Sequence, residues 1–326
     1  MNDANAKELA NKLKVSSTTI SRVIRHCGGV DSETRERILL ESRHINYIPT
    51  SNCPIYTILP DIPQYFWSNL GDSLNIGTEK DVAPIRHNIY TKLRDEMSVL
   101  EYLNDAERLG AHAIIIAAPY TPAIRQKLDQ MVSGRLILFL SEYQRIPNCF
   151  YVGADSYADG YSLGEQYASH YTNRKLVMFS VGKGMNVRKR EEGFRQALID
   201  RNPTLLREAQ LIELDSALFK NFKLLPSKTA GLLAKVAKTR EPLCLYFSSG
   251  IPDLSLALAK AKLPEHSICL CHDYYKGNFE TTQVISCNQD VQSQGRIAVK
   301  LATDFVKNHL YPEQKEIYVP SVLQKM

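Results

Sequence analysis

The chain lacks any apolar run long enough to cross a bilayer, and it lacks a basic-plus-apolar leader at its N-terminus. Hydrophobic residues make up 44% of the 326 residues and charged residues 23%, so a sizeable core is expected. These features predict a soluble protein without a membrane-spanning helix. We expect a cytoplasmic protein with no membrane partner.

A paired cysteine framework is also missing, because the seven cysteines are odd in number and scattered. This usage is typical of reduced thiols inside a cell. Cys269, Cys271 and His272 lie close in sequence, but strand alternation would direct the two cysteines to one face and His272 to the other. Since no second ligand pair follows, the sequence favours a structural role for them and predicts no metal site.

Motifs of common enzyme classes are absent from the sequence. It contains no G-x-S-x-G elbow and no P-loop, and its eight histidines include no pair at i, i+4 spacing. Gly182 and Gly184 lack the third glycine and the downstream acidic residue of a dinucleotide fingerprint. The sequence therefore predicts neither an enzyme nor a bound cofactor.

The first 26 residues predict two short helices joined by a tight turn. The apolar residues of the first helix recur at helical spacing and form a stripe of Ala6, Leu9, Ala10 and Leu13. Ser16 is a good N-cap for the second helix, whose inward residues are Ile20, Val23 and Ile24. With a third helix predicted over 32–46, this arrangement is typical of a helix-turn-helix domain.

The outward face of the second helix carries small hydroxyls and guanidinium groups. Such side chains let a helix approach base edges and phosphates, and arginine can donate two hydrogen bonds to guanine. The predicted DNA-binding residues are Ser16, Ser17, Thr18, Thr19, Ser21, Arg22 and Arg25. On these residues alone, the alternative is a small helical bundle whose Ser/Thr-rich face is exposed to solvent and binds nothing.

The order of these residues resembles the DNA-binding domain of the lactose/galactose repressor family of bacterial regulators. That family's pattern VSxxTVSRVLN corresponds to VSSTTISRVI here, and its GYxPN-like segment corresponds to NYIPT at 46–50. The resemblance implies that Ser17 and Thr18 specify bases and that Arg22 contacts a base edge. Lys14 stands where the family usually has glycine, which costs about 1 kcal/mol if φ is positive there.

The charge of this segment points to a double-stranded operator bound by two copies of the chain. Residues 1–50 contain eight Lys/Arg and six Asp/Glu, a balance of +2, within a chain of net charge +5. Attraction to DNA is then modest per subunit and strongly dependent on salt. A homodimer that adds the contacts of two domains is the minimal expectation, with a palindromic operator.

From Ile55 onward, short β-branched runs alternate with amphipathic segments. Near-continuous apolar runs such as 114–118 are typical of strands covered on both faces, and the alternation predicts parallel, doubly wound sheets. A second series of the same kind begins after Asp155. The sequence therefore predicts an α/β fold with two similar lobes and a cleft between them.

The predicted boundaries are a helix-turn-helix domain at 1–49, a short linker at 50–54 and a core at 55–326. Lobe 1 is expected at about 55–154 and 288–316, and lobe 2 at about 155–287 and 317–326. The family resemblance implies a hinge helix after the first domain, but residues 51–54 are too few for one. We hypothesise that the operator is bound through its major groove without a central minor-groove kink.

The core resembles the effector-binding region of the same family, which shares its fold with periplasmic sugar-binding proteins. The resemblance depends on the order of LPDIPQYFW, VGADSYADGYSLG, RKREEGF, CHDYY and TTQVISCNQDVQSQGRIAVKL. It implies a small polar effector, such as a sugar or sugar phosphate, bound between the lobes. By position in these segments, Arg190 and Asp273 would contact it, and Phe66 and Trp67 would line the pocket.

Three of these four residues also have a structural alternative. Arg190 could form a surface salt bridge, Asp273 could cap a turn, and Trp67 could fill the core. Ser248-Ser249-Gly250 replaces the family's Asn-Asp pair, which disfavours an ordinary hexose. A helix is predicted over 188–200. Basic residues near its start suit an acidic or phosphorylated effector, or form a solvated loop, and they are Lys183, Arg188 and Lys189.

Taken together, these patterns predict a transcriptional regulator of the repressor type that is controlled by a small polar effector. Two other interpretations stay open at this point. One is a cytoplasmic small-molecule-binding protein, and the other is a DNA-binding regulator that ignores effectors.

Overall fold

The computed structural model describes residues 2–24, 34, 37–38, 41, 54–60, 64–75, 83–90, 96–119, 121–132, 134–181, 184–214, 225–251, 253–274 and 282–326. Within these ranges the chain forms a helical N-terminal segment and two six-stranded sheets flanked by helices. No helix in the described ranges is long and apolar enough to cross a membrane.

The N-terminal segment contains α1 (Asn2–Leu13) and α2 (Ser17–Ile24). Its apolar side chains form one cluster, which comprises Leu9, Ala10, Ile20 and Ile38, with Leu13 and Val15 packed against it. Ile38 belongs to the predicted third helix, of which residues 34, 37–38 and 41 are helical. The rest of that helix and residues 50–53 of the predicted linker lie outside the described residues.

The turn between α1 and α2 is a Schellman motif. Lys14 has a φ of 57°, in the left-handed region. Its N–H donates to the carbonyl of Asn11 at 3.4 Å, and the N–H of Val15 donates to the carbonyl of Ala10 at 3.0 Å. Glycine is the usual residue at this position because it has no Cβ to clash. The positive φ on which the predicted cost of Lys14 depends is therefore present.

The first sheet has the strand order β11-β5-β4-β3-β1-β2. Its strands are β1 (Ile55–Pro60), β2 (Ile85–Tyr90), β3 (Ala113–Ile116), β4 (Leu136–Leu140), β5 (Phe150–Gly153) and β11 (Glu316–Tyr318). The pairings from β2 through β5 are parallel. Its neighbouring helices in sequence are α3 (Gln64–Asn75), α4 (Glu96–Arg108), α5 (Pro122–Met131) and α11 (Val291–Asn308).

The second sheet has the strand order β12-β10-β9-β8-β6-β7. Its strands are β6 (Lys175–Val181), β7 (Gln210–Leu214), β8 (Leu243–Phe247), β9 (Ile268–His272), β10 (Gln283–Asn288) and β12 (Val322–Lys325). The helices of this part are α6 (Ser156–His170), α7 (Met185–Arg201), α8 (Pro203–Arg207), α9 (Leu225–Val236) and α10 (Leu254–Ala261).

The predicted α/β class with parallel sheets is confirmed, with two local differences. Strand β12 pairs antiparallel with β10 at the edge of the second sheet. Helix α7 begins at Met185 instead of Arg188, since the extended Gly184 already serves as its N-cap residue. Strands β1, β3 and β4 are buried throughout, as expected for strands covered on both faces.

The chain divides into two compact units, each assembled from separate segments. The first unit comprises Met1–Ile62, Trp67–Val152 and Gln294–Ile317. The second unit comprises Pro63–Phe66, Gly153–Ser293 and Tyr318–Met326. Hydrophobic side chains pack against both faces of the second unit's sheet, with Cys269 and Cys271 on one face and Cys287 on the other.

Candidate functional site

Helices α6 and α7 of the second unit pack closely because glycines lie where they meet. Gly160 lies against the backbone of Arg190, and Gly193 lies against the backbone of Tyr157. A Cβ on Gly164 would stand 2.6 Å from the carbonyl oxygen of Phe194. Because a side chain fits at none of these positions, the two backbones approach closely, and Asp159 comes near Arg190.

Arg190 and Asp273, both predicted effector residues, form a buried ion pair. Nη2 of Arg190 donates to Oδ2 of Asp273 at 3.2 Å, and the side chains are 5% and 10% exposed. Asp273 follows the end of β9 with a φ of 52°. Gln289 donates to the same carboxylate through its backbone N–H at 3.0 Å and its Nε2 at 2.8 Å. The surface salt bridge considered for Arg190 is therefore wrong, because the pair is buried.

The charge of Arg190 is stabilised by two carboxylates. Burial by itself would lower the pKa of Arg190, but the charges of Asp273 and Asp159 outweigh burial and raise it. Nε of Arg190 is buried and has no hydrogen-bond partner among the described residues. A buried donor without a partner costs about 1–3 kcal/mol, so a bound acceptor at this position would be stabilised.

Asp159 is a buried carboxyl at the start of α6. Its Oδ2 accepts a hydrogen bond from Oγ of Ser321 at 2.9 Å. Burial raises the pKa of Asp159 to about 6, although the charge of Arg190 and the Ser321 hydroxyl oppose the shift. This carboxyl can therefore exchange its proton near neutral pH.

Tyr246 on β8 and His272 on β9 are further buried polar side chains near Arg190. The Tyr246 hydroxyl donates to the carbonyl of Arg190 at 3.2 Å and lies 3.3 Å from Nε2 of His272. Because that single hydroxyl proton is already used, Nε2 of His272 must carry the hydrogen between them. Burial, and then the charge of Arg190, lowers the pKa of His272 well below its usual range, so the ring is neutral.

The predicted DNA-binding residues lie at the start of α2 or along it. The backbone N–H of Thr19 donates to Oγ of Ser16 at 2.9 Å, which confirms Ser16 as the N-cap. The Ser16 and Thr19 hydroxyls are 2.8 Å apart, whereas Ser17 and Thr18 are exposed. Ser21 and Arg22 belong to α2, and Arg25 lies outside the described residues.

The remaining predicted effector residues lie on α3. Phe66 and Trp67 are both buried, with 7% and 6% of their surface exposed. Their role as a pocket wall stays a prediction. Of the basic residues near the start of α7, Arg188 is exposed and Lys189 partly exposed, while Lys183 lies outside the described residues.

Several polar residues of this site were not predicted from the sequence. Asp159 and Gln289 lie within segments that carry the family resemblance, so those segments contained a usable signal. Tyr246 lies in a buried apolar strand, and His272 ends another. Their local sequence gives no sign that they meet near Arg190.

Comparison with known proteins identifies the N-terminal domain. Residues 5–50 match the model of bacterial regulatory proteins of the lacI family. No curated protein sequence matches the chain. The match to this family model therefore lies in the segment that contains α1 and α2.

Solved structures share the fold of the whole chain or of its core. A LacI-family transcriptional regulator from Silicibacter pomeroyi has a TM-score of 0.64 and 16% identity, and the alignment covers 98% of this chain and 97% of that chain. A LacI-family transcriptional regulator from Enterococcus faecium with bound ribose has a TM-score of 0.62 and 18% identity, covering 83% and 96%. A periplasmic ribose ABC transporter from Conexibacter woesei DSM 14684 has a TM-score of 0.65 and 15% identity, covering 84% and 92%.

At these identities the structural similarity establishes the fold, and the similarity to the lacI family model lies in residues 5–50. The predicted resemblance is confirmed, and two α/β lobes like those of periplasmic binding proteins follow a helix-turn-helix region. Residues 5–50, which contain α1 and α2, are similar to the lacI family of bacterial regulatory proteins.

Proposed function

We propose that the protein is a cytoplasmic transcriptional repressor that binds a double-stranded operator as a homodimer and responds to a small polar effector. The effector is a sugar or a sugar derivative, and no enzymatic step is involved. The observation that carries this proposal is the buried Arg190–Asp273 pair, with its unpartnered Nε, in a chain that begins with a lacI-family domain.

The DNA-binding part of the proposal depends on the surface of α2. Ser17 and Thr18 are exposed in the first turn of that helix, where short side chains allow close approach to base edges. Ser16 is occupied as the N-cap and Thr19 hydrogen-bonds to it, so these two support the helix end. Because one domain offers few contacts, two domains on a palindrome are needed for tight binding.

Replacing Ser17 and Thr18 together with alanine is expected to weaken specific operator binding by about 10- to 100-fold, since a good base contact is worth about 1–3 kcal/mol. The operator is first selected from a random duplex library with the wild-type protein. Dissociation constants are then measured by fluorescence anisotropy at several salt concentrations. The salt slope should stay unchanged, because neither replacement removes a charge.

The matched control for this experiment is Thr204→Ala, which removes an exposed threonine on α8 in the second unit. It should bind the selected operator like the wild type. If the double variant at residues 17 and 18 also binds and discriminates like the wild type, the assignment of these residues to base recognition is wrong.

The effector part of the proposal depends on the chemistry around Arg190. A sugar hydroxyl can accept a hydrogen bond from the guanidinium and donate one to the Asp273 carboxylate at the same time. A phosphate can only accept, and the carboxylates of Asp273 and Asp159 would repel it. The arrangement therefore favours a neutral polyol over the phosphorylated effector considered from the sequence. The location of this effector between the lobes stays a sequence prediction.

A thermal-shift screen of the full-length protein should identify a stabilising sugar or sugar derivative among sugars, sugar phosphates, nucleosides and organic acids. A ligand present at 100 times its Kd stabilises the folded state by about 2.7 kcal/mol. Arg190→Lys and Asp273→Asn should lose most of that shift, because each removes part of the donor and acceptor pattern. The compound should also change operator affinity in the wild type.

The control for the thermal-shift experiment is Arg201→Lys, also on α7, whose exposed guanidinium donates to Glu165 at 3.1 Å. This variant should respond to the compound like the wild type. If no compound stabilises the protein but it still selects an operator, the effector-independent regulator is correct. If a compound binds but no operator is selected, the small-molecule-binding protein is correct.

A further inference from the structure

We propose that the second unit also binds one divalent transition-metal ion, for which Zn²⁺ and Co²⁺ are the probes, between Asp159, His272 and Cys287. These three buried side chains each offer one ligand atom, and the atoms all lie within 4.8 Å of one another. This inference goes beyond the proposed function, because neither operator binding nor effector binding requires the metal.

The fold brings the three residues together from three elements. His272 on β9 and Cys287 on β10 are register partners in a parallel pair of strands. Partners in such a pair direct their side chains to the same face of the sheet. Helix α6 carries Asp159, and its Leu163 and Tyr167 pack in the same hydrophobic cluster as Cys287. The ligand atoms of Cys287 and Asp159 lie within 4.8 Å of each other.

His272 provides an independent sign of a ligand. The ring is fully buried, and its Nδ1 has no hydrogen-bond partner among the described residues. Because Nε2 carries the hydrogen shared with Tyr246, Nδ1 presents a lone pair. A neutral imidazole whose other nitrogen donates to an oxygen atom is the form in which histidine binds metals.

The donor set and its spacing suit zinc. Nitrogen, sulfur and carboxylate oxygen are the ligands that Zn²⁺ takes in proteins, commonly with water in a fourth position. Zinc–ligand bonds of about 2.0–2.3 Å place tetrahedral ligand atoms roughly 3.3–3.8 Å apart. Since the three atoms lie within 4.8 Å of one another, each pair would need to approach by about 1.5 Å at most, which side-chain rotation can supply.

The charges of the site balance when the metal is bound. A divalent ion offsets one carboxylate and one thiolate, while the charge of Arg190 is offset by Asp273. In the metal-free protein Cys287 is a buried free cysteine, whose ordinary form is the thiol. Binding therefore forms the metal–sulfur bond and releases the thiol proton to solvent.

The test uses the full-length protein after dialysis against a chelator, followed by titration with Co²⁺ and competition with Zn²⁺. We expect one Co²⁺ per chain and a thiolate-to-cobalt charge-transfer band in the near ultraviolet, which Zn²⁺ abolishes. Cys287→Ser should lose the band, and Asp159→Asn and His272→Gln should each weaken binding at least tenfold. The control Cys149→Ser, which changes a buried thiol of the first unit, should keep the band.

Three outcomes would overturn this proposal: no stoichiometric Co²⁺ binding by the wild type, a charge-transfer band that survives in Cys287→Ser, or equal weakening in the Cys149→Ser control. Circular dichroism establishes that each variant is folded. If Cys287→Ser does not fold, Asp159→Asn decides the question through the measured Co²⁺ affinity. Co²⁺ binding is measured without any effector, and the thermal-shift screen is repeated on the chelator-treated protein, so failure of the effector proposal and failure of the metal proposal are distinguishable.

Discussion

Gly160→Ala is expected to lower the free energy of unfolding by about 3 kcal/mol, at the upper end of the cost of overpacking a core. The added methyl group would meet the backbone carbonyl of Arg190, which cannot rotate away as a flexible side chain can. Helices α6 and α7 would have to separate, which would also move Asp159 and Arg190 apart. The measurement is chemical denaturation followed by far-ultraviolet circular dichroism.

Gly231→Ala on α9 is the matched control, because a Cβ at that position meets nothing within 4 Å. It should be neutral or stabilising, since alanine is preferred over glycine in a helix interior by about 0.5–1 kcal/mol. If both variants unfold at the same denaturant concentration, the close approach of α6 and α7 at Gly160 is wrong.

Arg190→Met is expected to cost about 3–5 kcal/mol, because removal of one partner leaves a buried charge uncompensated. The Asp273 carboxylate then keeps its hydrogen bonds from Gln289 but loses its ion pair, and Asp159 also loses the nearby positive charge. The double variant Arg190→Met/Asp273→Asn should recover part of that loss, since it removes the unpaired charge as well. Denaturation midpoints of the two single variants and the double variant form a double-mutant cycle.

Arg201→Met tests whether burial causes the large loss of stability that is expected for Arg190→Met. Arg201 pairs with Glu165 at 3.1 Å, but the two side chains are 56% and 40% exposed. Exposed pairs contribute about 0–1 kcal/mol, so this variant should be almost as stable as the wild type. Equal losses for Arg190→Met and Arg201→Met would contradict the buried ion pair.

The helices and strands of the fold were predictable because buried segments have a recognisable pattern of apolar residues in the sequence. The run 114–118 is apolar throughout, and β3 is buried along its whole length. The direction of the edge strand β12 was harder to predict from the sequence. This strand is short and exposed, and its pairing depends on where β11 ends. A weakly patterned edge strand can pair either way until the neighbouring geometry is known.

The site was only partly predictable for a different reason. Arg190 and Asp273 were identified through the family resemblance, but their contact joins residues 83 positions apart. The register of β9 against β10 and the glycine contacts between α6 and α7 determine which side chains surround them. The prediction of no metal site considered Cys269, Cys271 and His272 as neighbours in sequence. The proposed ligands Asp159 and Cys287 come from other elements.

The first sheet is completed late in synthesis, because its edge strand β11 comes from residues Glu316–Tyr318. The N–H of Tyr151 donates to the carbonyl of Lys315, and the N–H of Val319 donates to the carbonyl of Gly153, each at 2.8 Å. On the ribosome, β5 is made long before residues 315–319, so its outer edge stays unpaired meanwhile. At about 5–20 residues per second, that interval is on the order of ten seconds. An open strand edge invites pairing with other chains, so a nascent chain of this protein is most prone to aggregation during the synthesis of its second unit.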